Sequence, residues 1–427
     1  MNIELKKVNK IKGIIEVPAD KSITHRAVML SSLAKGNSVI RNYLPSQDCM
    51  RTIEAFKLMG AEIKADENVL YVKGAGLRLQ KPAAAIDAGN SGTTARLLSG
   101  ILSGQNFESL ITGDESLSKR PMKRIIEPLS KMGAQIKSNN DMLPLKISGK
   151  SPLKAIRYEN DKSTAQVKSA VLFAGLYADG ATTYFEPVKS RDHSERMLKA
   201  FGAKVETDGN CVTVHPVEKL NAMEIDVPGD ISSAAFFIAS ALIVPDSELV
   251  IKNVGINPTR DGFIEILKKM GADITFDNMR NVSGEPVCDI NVKYSKLKSA
   301  DIDFSVIPRM IDEIPIFALI AAQADGITRI TGAKELRVKE SDRIAAIYTQ
   351  FRKLGIEIEE LEDGLIINGC SVNKFQGGTF ESFKDHRIAM TLAVASLIAE
   401  NEITIQNADC VNISFPDFYE RLKSVCR

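Results

Sequence analysis

The run DKSITHRAVMLSSLAKG, Asp20–Gly36, decides the fold because the chain repeats its design. A polar motif opening a helix of small residues returns as NSGTTARLLSGILSG at Asn90–Gly104, KSTAQVKSAVLFAGLYADG at Lys162–Gly180, GDISSAAFFIASALIVPDS at Gly229–Ser247, IDEIPIFALIAAQADG at Ile311–Gly326 and KDHRIAMTLAVASLIAEN at Lys384–Asn401. The starts lie about 65 to 80 residues apart, so six units fill the chain. Each unit then carries a second helix with apolar spacing of three and four. Five of these run into a glycine suited to the left-handed cap, at Gly60, Gly133, Gly202, Gly271 and Gly355. Alternation that predicts a hairpin follows each, as in Glu62–Gly74 and Glu357–Gly369. The last second helix, around Pro416–Val425, has no hairpin behind it, and the N-terminal alternation Ile3–Val17 predicts the hairpin that completes its unit. Both termini then belong to one lobe. The chain leaves and re-enters it at matching crossings, VPAD at Val17–Asp20 and VPGD at Val227–Asp230. The expected organisation is α/β, with one lobe at residues 20–227 and a discontinuous lobe at residues 1–19 plus 228–427, three units in each.

Composition narrows the function. The 427 residues are 44% hydrophobic and 26% charged, which predicts folded domains with real cores rather than a disordered chain. Lys+Arg 55 against Asp+Glu 54 leaves a net charge of +1, so no global basic field exists to attract nucleic acid or a membrane surface. Any anion site is built locally. The longest apolar run, Ala234–Val244, is far short of the roughly 20 residues of a membrane span. The N-terminal residues show no export signal, and six cysteines without a CxxC pair read as reduced thiols, so the expected location is the cytoplasm.

The candidate chemistry sits at the helix openings, where unpaired N–H groups and the helix dipole favour anions. Lys21, Ser22 and Arg26 share one such turn, and two cations around it point beyond a simple Ser22 cap to anion binding. Asn90–Arg96 is a small-residue run that lets a backbone approach a ligand. It is not a phosphate loop of nucleotide enzymes, because GxxxxGK[ST] is absent, and no GxGxxG opens a helix after a strand. The second helices add Arg120, the run Ser190–His193, Arg260, and RVKESDR, in which Lys339 and Arg343 are four apart on one expected helical face. Asp312 stands at the mouth of an apolar helix, where a carboxylate can be tuned, and Asp385-His386-Arg387 opens another helix in the same way. The four histidines form no HExxH and no triad signature.

Together VPADKSITHRAVMLSSLA, GNSGTTARLL, SKRPM, SRDHSERM, NPTRDG, RVKESDRI and DHRIAM resemble the 5-enolpyruvylshikimate-3-phosphate synthase family from end to end. RxHxE at Arg191, His193 and Glu195, with NxTR at Asn257–Arg260, is similar to the second of its two sequence classes. The resemblance implies an inside-out α/β barrel of two similar lobes, each of three βαβαββ units, with the active site in the cleft between the lobes and closure on the ligand. It implies transfer of the enolpyruvyl group of phosphoenolpyruvate to the 5-hydroxyl of shikimate 3-phosphate. Phosphate is released, and no cofactor or metal is needed. A cytoplasmic monomer with these two small-molecule partners, and with neither nucleic acid nor membrane, is expected.

Carried over by position, the resemblance assigns shikimate 3-phosphate to Lys21, Ser22, Arg26, Thr164, Gln166, Ser190, Arg191, Asp312 and Lys339. Phosphoenolpyruvate falls to Lys21, Asn90, Gly92, Arg120, Gln166, Arg343 and Arg387, whose forked guanidinium groups suit carboxylate and phosphate. Asp312, Glu340 and Lys21 are the expected proton-transfer groups, the division of steps between the carboxylates being left open. Three positions depart from the family pattern: Ala19 where Gly is usual, Thr164 where Ser is usual, and Ile413 where the first class has a Lys. The sister UDP-N-acetylglucosamine enolpyruvyl transferases typically have Lys-Asn at Lys21-Ser22 and a reactive Cys on a loop, whereas Gly113–Met122 holds no Cys. A non-catalytic anion-binding repeat protein would need the cations but not Asp312 and Glu340.

Overall fold

Glu62–Asp66 and Val69–Lys73 form the hairpin that their alternation predicts, paired from Glu62↔Lys73 to Asp66↔Val69. Asn37–Arg41 adds antiparallel to Val69–Lys73, and Glu224–Asp226 adds parallel to Asn37–Arg41. The same order recurs in the sheet of Ile86–Asp87, Glu108–Thr112, Met142–Ser148 and Gln135–Asn139, and in that of Arg157–Glu159, Thr182–Phe185, Cys211–Val214 and Val205–Asp208. This computed structural model describes residues 1–370 and 375–427. The chain divides into a mid-chain unit, Ala19–Val227 with Val282–Glu285, and a terminal unit, Met1–Pro18 with Pro228–Asn281 and Pro286–Arg427.

In the mid-chain unit the helices Lys21–Leu33, Gly92–Ser103 and Ala165–Gly175 are buried on nearly every face, whereas the strands alternate buried and exposed residues. A helix apolar or small all round belongs inside, and an alternating strand belongs at a core boundary. Gly100 shows how tight the interior is. A Cβ there would lie 2.1 Å from the Ala170 carbonyl oxygen, so only glycine lets these two helices meet.

The terminal unit has its own core around Ile231–Ile243, Ile314–Ala322 and His386–Ser396. Its sheets are Lys12–Glu16, Glu248–Gly255, Glu285–Lys293, Asp273–Val282; then Asp301–Ile302, Gly326–Ile330, Gly364–Gly369, Glu357–Leu361; and the three-stranded Ile3–Leu5, Ile403–Gln406, Gly378–Glu381.

Two expectations change here. Ile3–Val17 is not a hairpin: Ile3–Leu5 pairs with Ile403–Ile405, and Lys12–Glu16 pairs in parallel with Glu248–Lys252. The intervening backbone is spent elsewhere, Val8 N–H on the Leu397 carbonyl and Asn9 and Lys10 N–H on that of Arg427, so the two strands serve different sheets. Val282–Glu285 groups with the mid-chain unit rather than with the rest of 228–427, its Ser283 hydroxyl accepting from the Asp226 N–H at 2.9 Å and its Gly284 carbonyl from Arg196 at 3.1 Å.

Candidate active site

Each unit carries a cluster of charged groups at its helix openings. In the mid-chain unit Asp20 caps Lys21–Leu33 by accepting from the Ile23 N–H, so Ser22 is not needed as the cap. Lys21 pairs with Asp48 at 3.0 Å, a carboxylate that no sequence pattern singled out. Arg26 is buried, donating to the Ser194 hydroxyl at 2.7 Å, the Ser169 hydroxyl at 2.8 Å and the Ser22 carbonyl at 2.9 Å. Burial pushes its pKa down to about 10, against the pull of Glu195. Arg191 reaches the Ser22 hydroxyl at 3.4 Å.

Thr164 is the extended residue before Ala165–Gly175 and makes no capping bond with its side chain. Gln166, the second residue of that helix, accepts from Arg96 at 2.6 Å and donates to Thr93 at 3.3 Å, which ties its helix to the opening of Gly92–Ser103. Ser91 caps that helix, and Arg120 grips the side-chain oxygen of Asn90 at 2.7 Å. A Cβ at Gly92 would lie 2.9 Å from Arg96 and 3.7 Å from Arg120, so the bare backbone there keeps both guanidinium groups close. Behind this surface the ring of His25 bonds to Thr52 at 2.7 Å, and the chain continues through Thr94 to Ser91. Burial, then the charges of Lys21 and Arg26, hold His25 well below the usual imidazole range, so it is a neutral structural group.

The terminal unit gathers Asp312, Lys339, Glu340, Arg343, Asp385 and Arg387. The Asp312 carboxylate is 3.7 Å from the Lys339 ammonium, 3.3 Å from Arg343 and 3.9 Å from Arg387, while Arg387 also donates to the Asp312 carbonyl at 3.0 Å. Arg343 is 1% exposed, holds Asp385 through two nitrogens at 2.8 and 3.3 Å, and reaches Glu340 at 2.6 Å. Burial opposes its charge, yet Asp385, Glu340 and Asp312 raise its pKa. For Asp385 the sense is reversed: burial would raise the carboxyl, but Arg343 keeps it below the ordinary range.

Lys339 and Arg343 do not share a helical face, as the spacing suggested. Lys339 is extended after the 3-10 turn Lys334–Val338, and the helix begins at Arg343 behind its cap Asp342. Both still converge on Asp312 because the bend turns them inward. The cluster also balances three cations with three carboxylates.

Arg260 lies in a separate buried network with Asp230 at 3.1 Å, Ser232 and Glu313, directly behind Asp312 in sequence. His193 pairs with Glu285 at 2.8 Å, and Glu195 with Lys168 at 2.8 Å, so two members of RxHxE are interior. Among the described residues no group of three or more His, Cys, Asp or Glu is placed to hold a metal ion, and no helix is long and apolar enough to cross a membrane. The surface concavity lined by Arg337, Tyr348, Ile358 and Glu360 is a different place, its Arg337 already paired with Asp342 and Glu360.

A family model described as EPSP synthase (3-phosphoshikimate 1-carboxyvinyltransferase) matches residues 5–422. The chain belongs to the EPSP synthase family. A relative from Endomicrobium trichonymphae named 3-phosphoshikimate 1-carboxyvinyltransferase is 70% identical over 430 residues, covering 100% of both chains. One of the same name from Sulfurihydrogenibium sp. (strain YO3AOP1) is 51% identical, again covering 100% of each. A solved EPSP synthase from Acinetobacter baumannii superposes with a TM-score of 0.89 at 45% identity, covering 100% of this chain and 98% of that one. The mixed α/β fold is thus that of EPSP synthases, and the family resemblance read from the motifs holds.

Proposed function

We propose that this chain transfers the enolpyruvyl group of phosphoenolpyruvate to the 5-hydroxyl of shikimate 3-phosphate and releases phosphate. The observation that carries the reading is the Asp312 carboxylate set among Lys339, Arg343 and Arg387, with Glu340 on the same arginine, in a member of this family. In this reading Asp312 takes the proton of the 5-hydroxyl as its oxygen bonds to C2 of phosphoenolpyruvate, and Glu340 delivers a proton to the methylene carbon. The adduct then loses phosphate, assisted by Lys21, as the Glu340 carboxylate takes a proton back from the new methyl group and restores the enol ether. Lys21, Ser22, Arg26, Thr164, Gln166, Ser190, Arg191 and Lys339 serve the acceptor, and Asn90, Gly92, Arg120, Arg343 and Arg387 serve phosphoenolpyruvate.

We read the two units as the lobes of an inside-out α/β barrel, each built of three βαβαββ repeats. Substrates enter the cleft between them, and shikimate 3-phosphate closes it. The enzyme works as a cytoplasmic monomer without cofactor or metal. Buried helices with alternating outer strands support the first point.

Phosphate release by the purified chain tests the activity. It is expected only with both substrates present and without added divalent ion. Turnover of UDP-N-acetylglucosamine in place of shikimate 3-phosphate, or activity lost to a chelator and restored by metal, overturns the reading.

A further inference from the structure

Beyond Gln166 at its opening, the helix Ala165–Gly175 is made of small and apolar residues except for Lys168, whose side chain is 0% exposed. A lysine is kept in such a place only where carboxylates and acceptors meet it. Its ammonium lies 2.8 Å from Glu186, 2.8 Å from Glu195 and 3.0 Å from the Ser190 carbonyl oxygen. Glu186 in turn takes the Ser190 N–H at 2.8 Å on one oxygen and the Ser190 hydroxyl at 2.6 Å on the other. Every polar group of Ser190 is therefore held by this buried pair. Burial works against the Lys168 charge, but Glu195 and Glu186 raise its pKa, so the lysine is held charged.

With Lys168 donating to one Glu186 oxygen and the Ser190 hydroxyl to the other, the Ser190 hydroxyl proton is committed to Glu186. The phosphate of shikimate 3-phosphate presents acceptor oxygens and needs donors. Ser190 is also buried, whereas its neighbour Arg191 is partly exposed and carries a forked donor. We propose that Lys168 and Glu186 are positioning residues that clamp Ser190 with its hydroxyl turned inward, so that Ser190 fixes the backbone of Arg191 and Arg191 alone of the two contacts the acceptor's phosphate. The proposal rests on the function given above and corrects the assignment of Ser190 as a ligand.

The test is a double-mutant cycle. Glu186→Gln keeps the side chain's size and leaves Lys168 its Glu195 partner, and Ser190→Ala removes no charge, so both variants should fold, as checked by circular dichroism. Losing one charge-assisted bond of the clamp is expected to weaken calorimetric binding of shikimate 3-phosphate about tenfold in each single variant. In Glu186→Gln the KM for phosphoenolpyruvate and kcat at saturation should stay within about twofold of wild type. The double variant should be no weaker than the weaker single one, because both break the same clamp. Losses that multiply in the double variant would show Ser190 contacting the ligand independently and overturn the proposal, as would wild-type affinity in Glu186→Gln. Failure of the wild type to bind shikimate 3-phosphate at all strikes the function, not the clamp.

Discussion

Arg343→Lys keeps the charge and removes the fork, and the geometry says what that costs. The guanidinium makes two contacts to Asp385, one to Glu340 and one to Asp312. A single ammonium on a shorter reach can restore about half of them. Two charge-assisted bonds at about 1.5 to 3 kcal/mol each set the loss near 3 kcal/mol or more. Asp385, fully buried, is the group left worst off. In the wild type its pKa lies below the unfolded value, so its contribution is present above that value and lost as pH falls through the folded one. Without the fork, burial dominates and lifts the folded pKa above the unfolded one, so the penalty exists at high pH and fades as acid protonates the group. Urea unfolding followed by circular dichroism at pH 8 and pH 5 measures both variants. The stability gap between them should be wide at pH 8 and narrower at pH 5. An equal gap, or one that widens in acid, would refute the assignment of Arg343 as the partner that keeps Asp385 ionised.

Asp312→Asn retains the size of the side chain and removes the base. Turnover should fall by about 10² to 10⁴ while calorimetric acceptor binding changes much less, and equal losses in rate and affinity would make Asp312 a binding group. Gly100→Ala places a methyl group 2.1 Å from the Ala170 carbonyl and forces two interior helices apart, for about 1 to 3 kcal/mol in urea unfolding. An unchanged midpoint there would show that the helices separate freely.

The helices and hairpins were legible in the sequence because they are a matter of local order: small-residue helices, glycine caps and alternating hairpins each reveal themselves within about 20 residues. The cations were legible for the same reason, since Lys21, Arg26, Arg120, Arg343 and Arg387 stand at helix openings that their own neighbours announce. Partnership was not. Asp48 meets Lys21, Asp385 meets Arg343 across 42 residues, and Arg96 meets Gln166 across 70, and nothing local marks those pairings. One signal was available, a lone Lys168 in an apolar helix, which demands buried carboxylates somewhere without naming Glu186 or Glu195. The N-terminal strands failed for the opposite reason, because two short alternating runs look alike whether they pair with each other or with distant sheets. Periodicity fixes which face of an element is buried, but the partner is chosen by the packing of the whole chain, where a buried charge or an open strand edge is stable only beside the group that satisfies it.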